Sequence, residues 1–239
     1  MTTPYIHRYT KNKAGRDFAV GDIHGSFSAL EAALKYIGFD ETIDRLFSVG
    51  DLVDRGPESE DADEWLSRPW FHAVRGNHEQ MAIDAVKGFF DPHNYMANGG
   101  AWFMALPKIH QGCIADMFSV LPFAIEVETE AGLVGIVHAN SPVANWADLR
   151  DALTGHNGEA FQMMCLWDRN RIQSEDQSGV EGVRAVIVGH TPLKRAAVLG
   201  NVYHIDTGAV FRDGYFTFIN LATLEMIPAM PKKLEWSEA

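Results

Sequence analysis

Cysteine is scarce: Cys113 and Cys165 are the two in 239 residues, far apart and outside any CxxC spacing. That excludes a disulfide framework and a thiolate zinc site, and two reduced, partly buried thiols are expected. Long apolar runs are missing as well. No stretch of about 18 apolar residues exists to cross a bilayer, and residues 1–5 lack the apolar core of a secretion signal. No membrane association and a cytoplasmic location are therefore expected. Clustered positive charge is a third absence. The net charge is -12, with Lys and Arg scattered, so a long polyanion such as nucleic acid is not an expected partner. Internal repeats and Pro/Gly/Ser-rich linkers are lacking too, and residues 1–239 are expected to form a single, monomeric domain.

What remains is an ordinary globular composition, 46% hydrophobic and 22% charged, organised as alternating elements. Short apolar, β-branched runs at 17–21, 46–50, 71–75, 133–138 and 185–189 are expected as buried strands, with 202–206 and 215–221 as two more. Between the first two, Ser28-Ala29-Leu30-Glu31 has the spacing of a capping box. Apolar positions Leu30, Ala33, Leu34 and Ile37 follow, then Gly38 as a stop. A second helix is expected over 58–66 behind Pro57, and a third over 78–86 with Asn77 as its cap and Gly88 as its end. The chain thus begins as βαβαβα and ends strand-rich. That order predicts an α/β (α+β) fold of two packed sheets with helices outside.

Five short motifs close the five buried strands: Gly21-Asp22-Ile23-His24-Gly25, Gly50-Asp51-Leu52-Val53-Asp54-Arg55-Gly56, Arg75-Gly76-Asn77-His78-Glu79, Val137-His138-Ala139 and Val188-Gly189-His190-Thr191. Ligand crevices in open α/β sheets lie at the carboxyl ends of strands, so the motifs can converge. They carry enough oxygen and imidazole donors for two divalent metal ions. Asp22 and His24 can hold one, Asp51 can bridge, and Asn77, His138 and His190 can complete the second. Two dications against Asp22, Asp51 and a bridging hydroxide leave one positive charge, which attracts a phosphate dianion. Direct attack by that hydroxide on phosphorus is the chemistry expected.

Two side chains are left over at the edge of this set. A histidine backed by a carboxylate is held ready to protonate a departing alkoxide, which makes His78 the expected general acid and Asp54 its orienter. Arg55 is expected to clamp non-reacting phosphate oxygens, with a second clamp from the segment 167–171. The remaining histidines, His7, His72, His93, His110, His156 and His204, are read as surface or packing residues, and Arg171 as structural. Arg75 is expected in an ion pair supporting the site. Asp206 is either a partner of a ligand histidine or a turn residue. Trp102, Phe103 and Phe118 are read as core, and 91–112 as a loop or short-helix cover near the site.

The set GDxHG, GDxVDRG, RGNHE, a lone His and GHT resembles the PPP-type serine/threonine protein phosphatases, particularly their bacteriophage lambda-like and bacterial branch. The likeness continues through Asn98-Gly99-Gly100-Ala101-Trp102-Phe103, Leu166-Trp167-Asp168-Arg169-Asn170-Arg171-Ile172 and Ile205-Asp206-Thr207-Gly208-Ala209-Val210-Phe211. It implies a calcineurin-like metallophosphoesterase sandwich of two mixed sheets flanked by helices. It further implies manganese as the metal, with iron or zinc as alternatives, Arg169 as the second phosphate-binding arginine, and phosphoserine or phosphothreonine proteins, with phosphotyrosine as an extension, as substrates. Asn140 departs from the pattern, which has Asp there. An alternative function is hydrolysis of dinucleoside polyphosphates such as diadenosine tetraphosphate, since enzymes of that class share GDIHG and GDLV. Those relatives are expected to carry Ala at the position of Asp54 and Asp at that of Glu79, so this chain sides with the protein phosphatases.

Overall fold

The structure, a computed structural model, describes residues 5–229; residues 1–4, which entered the reading for a secretion signal, lie outside that range. In chain order the strands are β1 (Ile6–Tyr9), β2 (Asp17–Val20), β3 (Arg45–Ser48), β4 (Phe71–Ala73), β5 (Ala124–Thr129), β6 (Gly132–Val137), β7 (Ala185–Val188), β8 (Ala197–Leu199), β9 (Val202–His204), β10 (Phe216–Asn220) and β11 (Met226–Ala229). The helices are α1 (Phe27–Tyr36), α2 (Ala62–Ser67), α3 (Asn77–Lys87), α4 (Pro92–Tyr95), α5 (Ala101–Ala105), α6 (Lys108–Ser119), α7 (Leu149–Thr154), α8 (Gly158–Trp167) and α9 (Asn170–Ser174). None is long and apolar enough to cross a membrane.

The strands form two mixed sheets, β1-β5-β6-β7-β9-β8 and β11-β10-β2-β3-β4. Strands β2, β3 and β4 run parallel, as do β6, β7 and β9. Alternation along each strand divides the apolar residues into layers. Ala19 and Phe47 face Ile136 and Ile187 between the sheets. Phe18, Val20 and Leu46 point outward and are covered by Leu30 and Leu34 of α1, Trp65 of α2 and Met81 of α3. On the other sheet Val186 and Val188 are covered by Leu149 and Leu153 of α7 and by Leu166 of α8. Both faces of β2, β3 and β7 are thus buried, which is why those strands read as continuous apolar runs. Each such side chain contributes about 1.5–3 kcal/mol.

The local expectations need several corrections. Helix α1 begins at Phe27, behind Ser26, so Ser28 lies inside it. Its backbone N–H donates to a Glu58 carboxylate oxygen at 2.8 Å, so a distant side chain satisfies what a local box was expected to. The expected helix over 58–66 is split into a 3-10 turn, Ser59–Asp61, and α2. Gly76 caps α3, and Asn77 is its first helical residue, leaving that side chain unspent. The segment 91–112, expected as a loop or short-helix cover, is made of short helices: α4, a kinked turn at Met96–Gly100, α5 and the start of α6. Cys165 is buried, whereas Cys113 is exposed.

Candidate active site

The carboxyl ends of β2, β3, β4, β6 and β7 deliver the five motifs to one cleft. Backbone bonds hold the strand-end loops together: His24 N–H donates to Asp51 O at 2.8 Å and Gly189 N–H to His138 O at 2.8 Å. Close approach requires glycine at two points. A Cβ on Gly189 would lie 2.1 Å from Asp22 Oδ1, and one on Gly76 would lie 2.2 Å from Asp51 Oδ1. The backbone is also under strain there. His24, Asp51, Asp54, Arg55 and His190 have φ between 47° and 71°, a region that costs non-glycine residues of order 1–3 kcal/mol each. Elements anchored by the core on both sides can hold such conformations.

Six side chains named from sequence meet in this cleft. One group within mutual ligand distance is His24, Asp51 and His78; another is Asp51, His138 and His190. Asp51 belongs to both. Asp22 reaches the first group, with Oδ2 3.9 Å from His24 Nε2, and receives the His190 N–H at 3.1 Å. Asn77 Oδ1 reaches the second, 2.8 Å from His138 Nε2 and 2.8 Å from His190 Nδ1. Two of the histidines are oriented from behind. His24 Nδ1 donates to Val53 O at 2.9 Å and His138 Nδ1 to Val49 O at 2.7 Å, so each turns Nε2 toward the cleft.

The electrostatics suit a cation. Asp22 is pushed well above the usual carboxylate range by burial and then by the charges of Asp206 and Asp51. Burial would also raise Asp51, but the His138, His78 and His24 rings outweigh it and hold it well below that range. Asp206, which accepts Gly208 N–H at 2.8 Å as a turn residue does, is a third buried acid beside them. Burial first, and then the Asp51 charge against the opposing Gly208 hydrogen bond, leave it at about 6. Burial lowers His24 and His190 to about 3, so both are neutral donors. Burial alone would lower His138 as well, but the Asp51 carboxylate 3.4 Å away lifts it above its ordinary value.

The donor set fits divalent ions. A neutral His138 that donates through Nδ1 presents a lone pair at Nε2, and that lone pair faces the Asn77 carbonyl oxygen. Two acceptors at 2.8 Å repel unless the ring is charged or a cation lies among them. His78 Nε2 and His190 Nε2 are buried without a hydrogen-bond partner, and unpaired buried polar atoms are costly.

Around this cluster stands a second set of side chains. His78 Nδ1 bonds Asp54 Oδ2 at 2.7 Å, and both residues are fully buried. Arg55 is exposed and rests a guanidinium nitrogen on His24 Nε2. Arg169 is exposed, and its charge helps depress His190. Glu79 accepts three backbone N–H groups, from Gly76 at 2.7 Å, Asp51 at 3.0 Å and Leu52 at 2.8 Å. It thereby ties the loop after β3 to the start of α3.

Other expectations change. Arg75 makes no ion pair among the described residues; it donates to Gln80 Oε1, Ser119 O and Leu121 O and stacks on Phe123. Burial lowers it to about 10. Trp102 does more than pack, since its indole N–H donates to Asp54 Oδ1 at 2.7 Å. Tyr95, which sequence reasoning missed, donates its hydroxyl to the same oxygen at 3.2 Å. The signal available was the Gly99-Gly100 pair between the two aromatics. Asn140 donates to Asp168 Oδ2 at 2.8 Å and accepts from Arg171 Nε at 3.1 Å, joining the loop after β6 to the segment that carries Arg169.

A sandwich of two mixed sheets with a buried His/Asp/Asn cluster at its strand ends defines a phosphoesterase of the dinuclear-metal type. The calcineurin-like phosphoesterase model matches residues 18–194, and the chain belongs to that family, which uses a dinuclear site for divalent metals. It is 39% identical to serine/threonine-protein phosphatase 1 of Salmonella typhimurium over 81% of this chain and 87% of that one. It is 27% identical to an asymmetrical bis(5'-nucleosyl)-tetraphosphatase of a Geobacillus species over 90% and 96% of the two chains. Among solved structures, a serine/threonine phosphatase of Saccharomyces cerevisiae superposes with a TM-score of 0.60 at 16% identity, covering 91% of this chain and 77% of that one.

Proposed function

We propose that this chain is a metal-dependent phosphoprotein phosphatase that hydrolyses phosphoserine and phosphothreonine monoesters. The observation that carries the reading is the buried Asp54–His78 pair, 2.7 Å apart, beside a cluster of candidate metal ligands. Asp22, His24 and Asp51 would hold one divalent ion, and Asp51, Asn77, His138 and His190 a second, with manganese as the metal favoured by the family likeness. When bound, the ions supply Lewis acidity and a nucleophile available near neutral pH.

The protein's own residues do the rest. Arg55, which touches His24, and Arg169, whose charge is felt at His190, would fork onto the non-reacting phosphate oxygens. Asp54 accepts the Nδ1 proton and so orients Nε2, the atom of His78 that has no hydrogen-bond partner among the described residues, toward the cleft. From Nε2 a proton passes to the leaving serine or threonine oxygen, whose alkoxide is otherwise a poor leaving group. The leaving group of a dinucleoside polyphosphate is the phosphate oxygen of a nucleotide, which needs little such help. The 39% likeness to a serine/threonine phosphatase and the presence of Asp54 and Glu79 favour the phosphomonoester reading. Residues 1–239 act in this proposal as one cytoplasmic, monomeric domain.

The test is a comparison of kcat/KM with manganese for a phosphoserine peptide, a phosphotyrosine peptide and diadenosine tetraphosphate. The peptides should be preferred. A preference for the dinucleotide would overturn the proposal.

A further inference from the structure

Asp54 Oδ1 is met by two donors at once, the Tyr95 hydroxyl at 3.2 Å and the Trp102 indole N–H at 2.7 Å, while Oδ2 is taken by His78 Nδ1 at 2.7 Å. This convergence is not what a regular helix produces. Residues seven apart on an α-helix share a face but are separated by roughly 10 Å along the axis. Here the chain between them is kinked within Met96–Gly100, at Gly99, whose φ is 107°. The kink folds Trp102 back toward Tyr95.

The two glycines make the approach possible. A Cβ on Gly99 would lie 2.6 Å from the Arg55 backbone nitrogen, and one on Gly100 would lie 2.4 Å from the Tyr95 ring. The segment therefore packs directly against Asp54 and Arg55. Tyr95 is fully buried and tilts edge-on to Phe103 with ring centroids 5.6 Å apart. Its hydroxyl is kept protonated by burial and by the Asp54 charge, which raise it far above the phenol range. It can only donate. An indole N–H has no other role either, so Oδ1 faces two obligate donors.

We infer that Tyr95 and Trp102 are positioning residues for the proton-donating histidine: they lock the Asp54 carboxylate so that Oδ2 alone serves His78. Without them the carboxylate can rotate about its Cβ–Cγ bond, and the His78 ring loses the constraint that aims Nε2. The consequence is specific to substrates that need a proton. An alkoxide leaving group should depend on the two aromatics, and a nitrophenolate should not. The inference rests on the proposed acid role of His78.

The experiment measures kcat and KM for phosphoserine peptide and p-nitrophenyl phosphate, with metal content, for the manganese-loaded enzyme and for Tyr95→Phe, Trp102→Phe, the double variant and His78→Ala. Tyr95→Phe keeps the ring and removes the hydroxyl, and Trp102→Phe keeps an aromatic side chain, though a smaller one, and removes the indole N–H. The double variant should lose about tenfold or more in kcat on the phosphoserine peptide, the scale of a hydrogen bond to a charged group. Loss on p-nitrophenyl phosphate should stay under about twofold, with KM and metal content unchanged. Equal losses on both substrates, or loss of metal, would show that the aromatics merely hold the fold and would overturn the inference. His78→Ala separates the two ideas. If it shows no leaving-group dependence, the acid assignment itself fails; if it does and the double variant does not, only the positioning role fails.

Discussion

Replacing Glu79 by glutamine changes one atom of the chain and should destabilise the whole cleft. Its carboxylate accepts N–H groups from Gly76, Asp51 and Leu52 at 2.7, 3.0 and 2.8 Å, and it is entirely buried. Glutamine offers one carbonyl oxygen and one NH2. Whichever way the amide turns, an NH2 group faces at least one backbone N–H, and that buried donor is left unsatisfied. Such a group costs about 1–3 kcal/mol, and more when a charged acceptor is lost; the sum for Glu79→Gln is about 2–4 kcal/mol. For a chain of this size each kcal/mol lowers Tm by roughly 2–4 °C, so a drop of about 4–16 °C is expected in thermal unfolding. Glu79→Asp, one methylene shorter, should fall in the same range because it cannot reach all three donors. Asp51 is displaced with its own N–H, so metal affinity should fall alongside. A Glu79→Gln protein that melts within 1 °C of the parent and binds metal equally well would refute this account.

Three further outcomes are expected. Manganese at about 100 times its Kd should raise stability by about 2.7 kcal/mol, because it offsets the buried acids Asp22, Asp51 and Asp206; EDTA should reverse the gain, and Asp51→Asn should remove most of it in calorimetry. Arg55→Ala should weaken inhibition by inorganic phosphate by roughly tenfold or more, the scale of a charge-assisted contact; an unchanged Ki would argue against the clamp. His72 stacks among Tyr9 and Phe47, and burial followed by the Arg45 charge lowers it to about 4 from 6.5. The unfolded chain then binds the proton more readily than the folded one. Stability is complete above pH 6.5 and declines as pH falls toward 4, by up to about 3 kcal/mol from this ring. His72→Phe should flatten that part of the pH–stability curve.

Much of this protein was legible from residue order. Strands β2, β3 and β7 were visible because both of their faces are buried, which leaves nearly uninterrupted apolar runs, and β4 and β6 because their largely buried runs end at a motif. Helices α1 and α3 were visible by their period and by Gly38 and Gly88. Strand β1 and strands β8 and β11 are short and partly exposed, and α7 and α8 cover a sheet face whose apolar partners are distant in sequence, so neither alternation nor capping announced them. The motifs, too, named their own donors: Asp22, His24, Asp51, Asn77, His138 and His190 each stand at a strand end.

Sequence alone, then, determined the class of fold, the family and the residue types available for chemistry, because strand-end position and side-chain type are local properties. Only tertiary structure decided which groups work together. Glu79 finds its partners across the loop after β3, Arg75 finds carbonyls where an ion pair was expected, and Asn140 bridges Asp168 to Arg171. Tyr95 and Trp102 reach Asp54 because a kink at Gly99 and the close packing that two glycines allow bend the chain. Hydrogen bonds between residues 24 to 168 positions apart depend on how layers pack, and no local pattern of side chains encodes that distance.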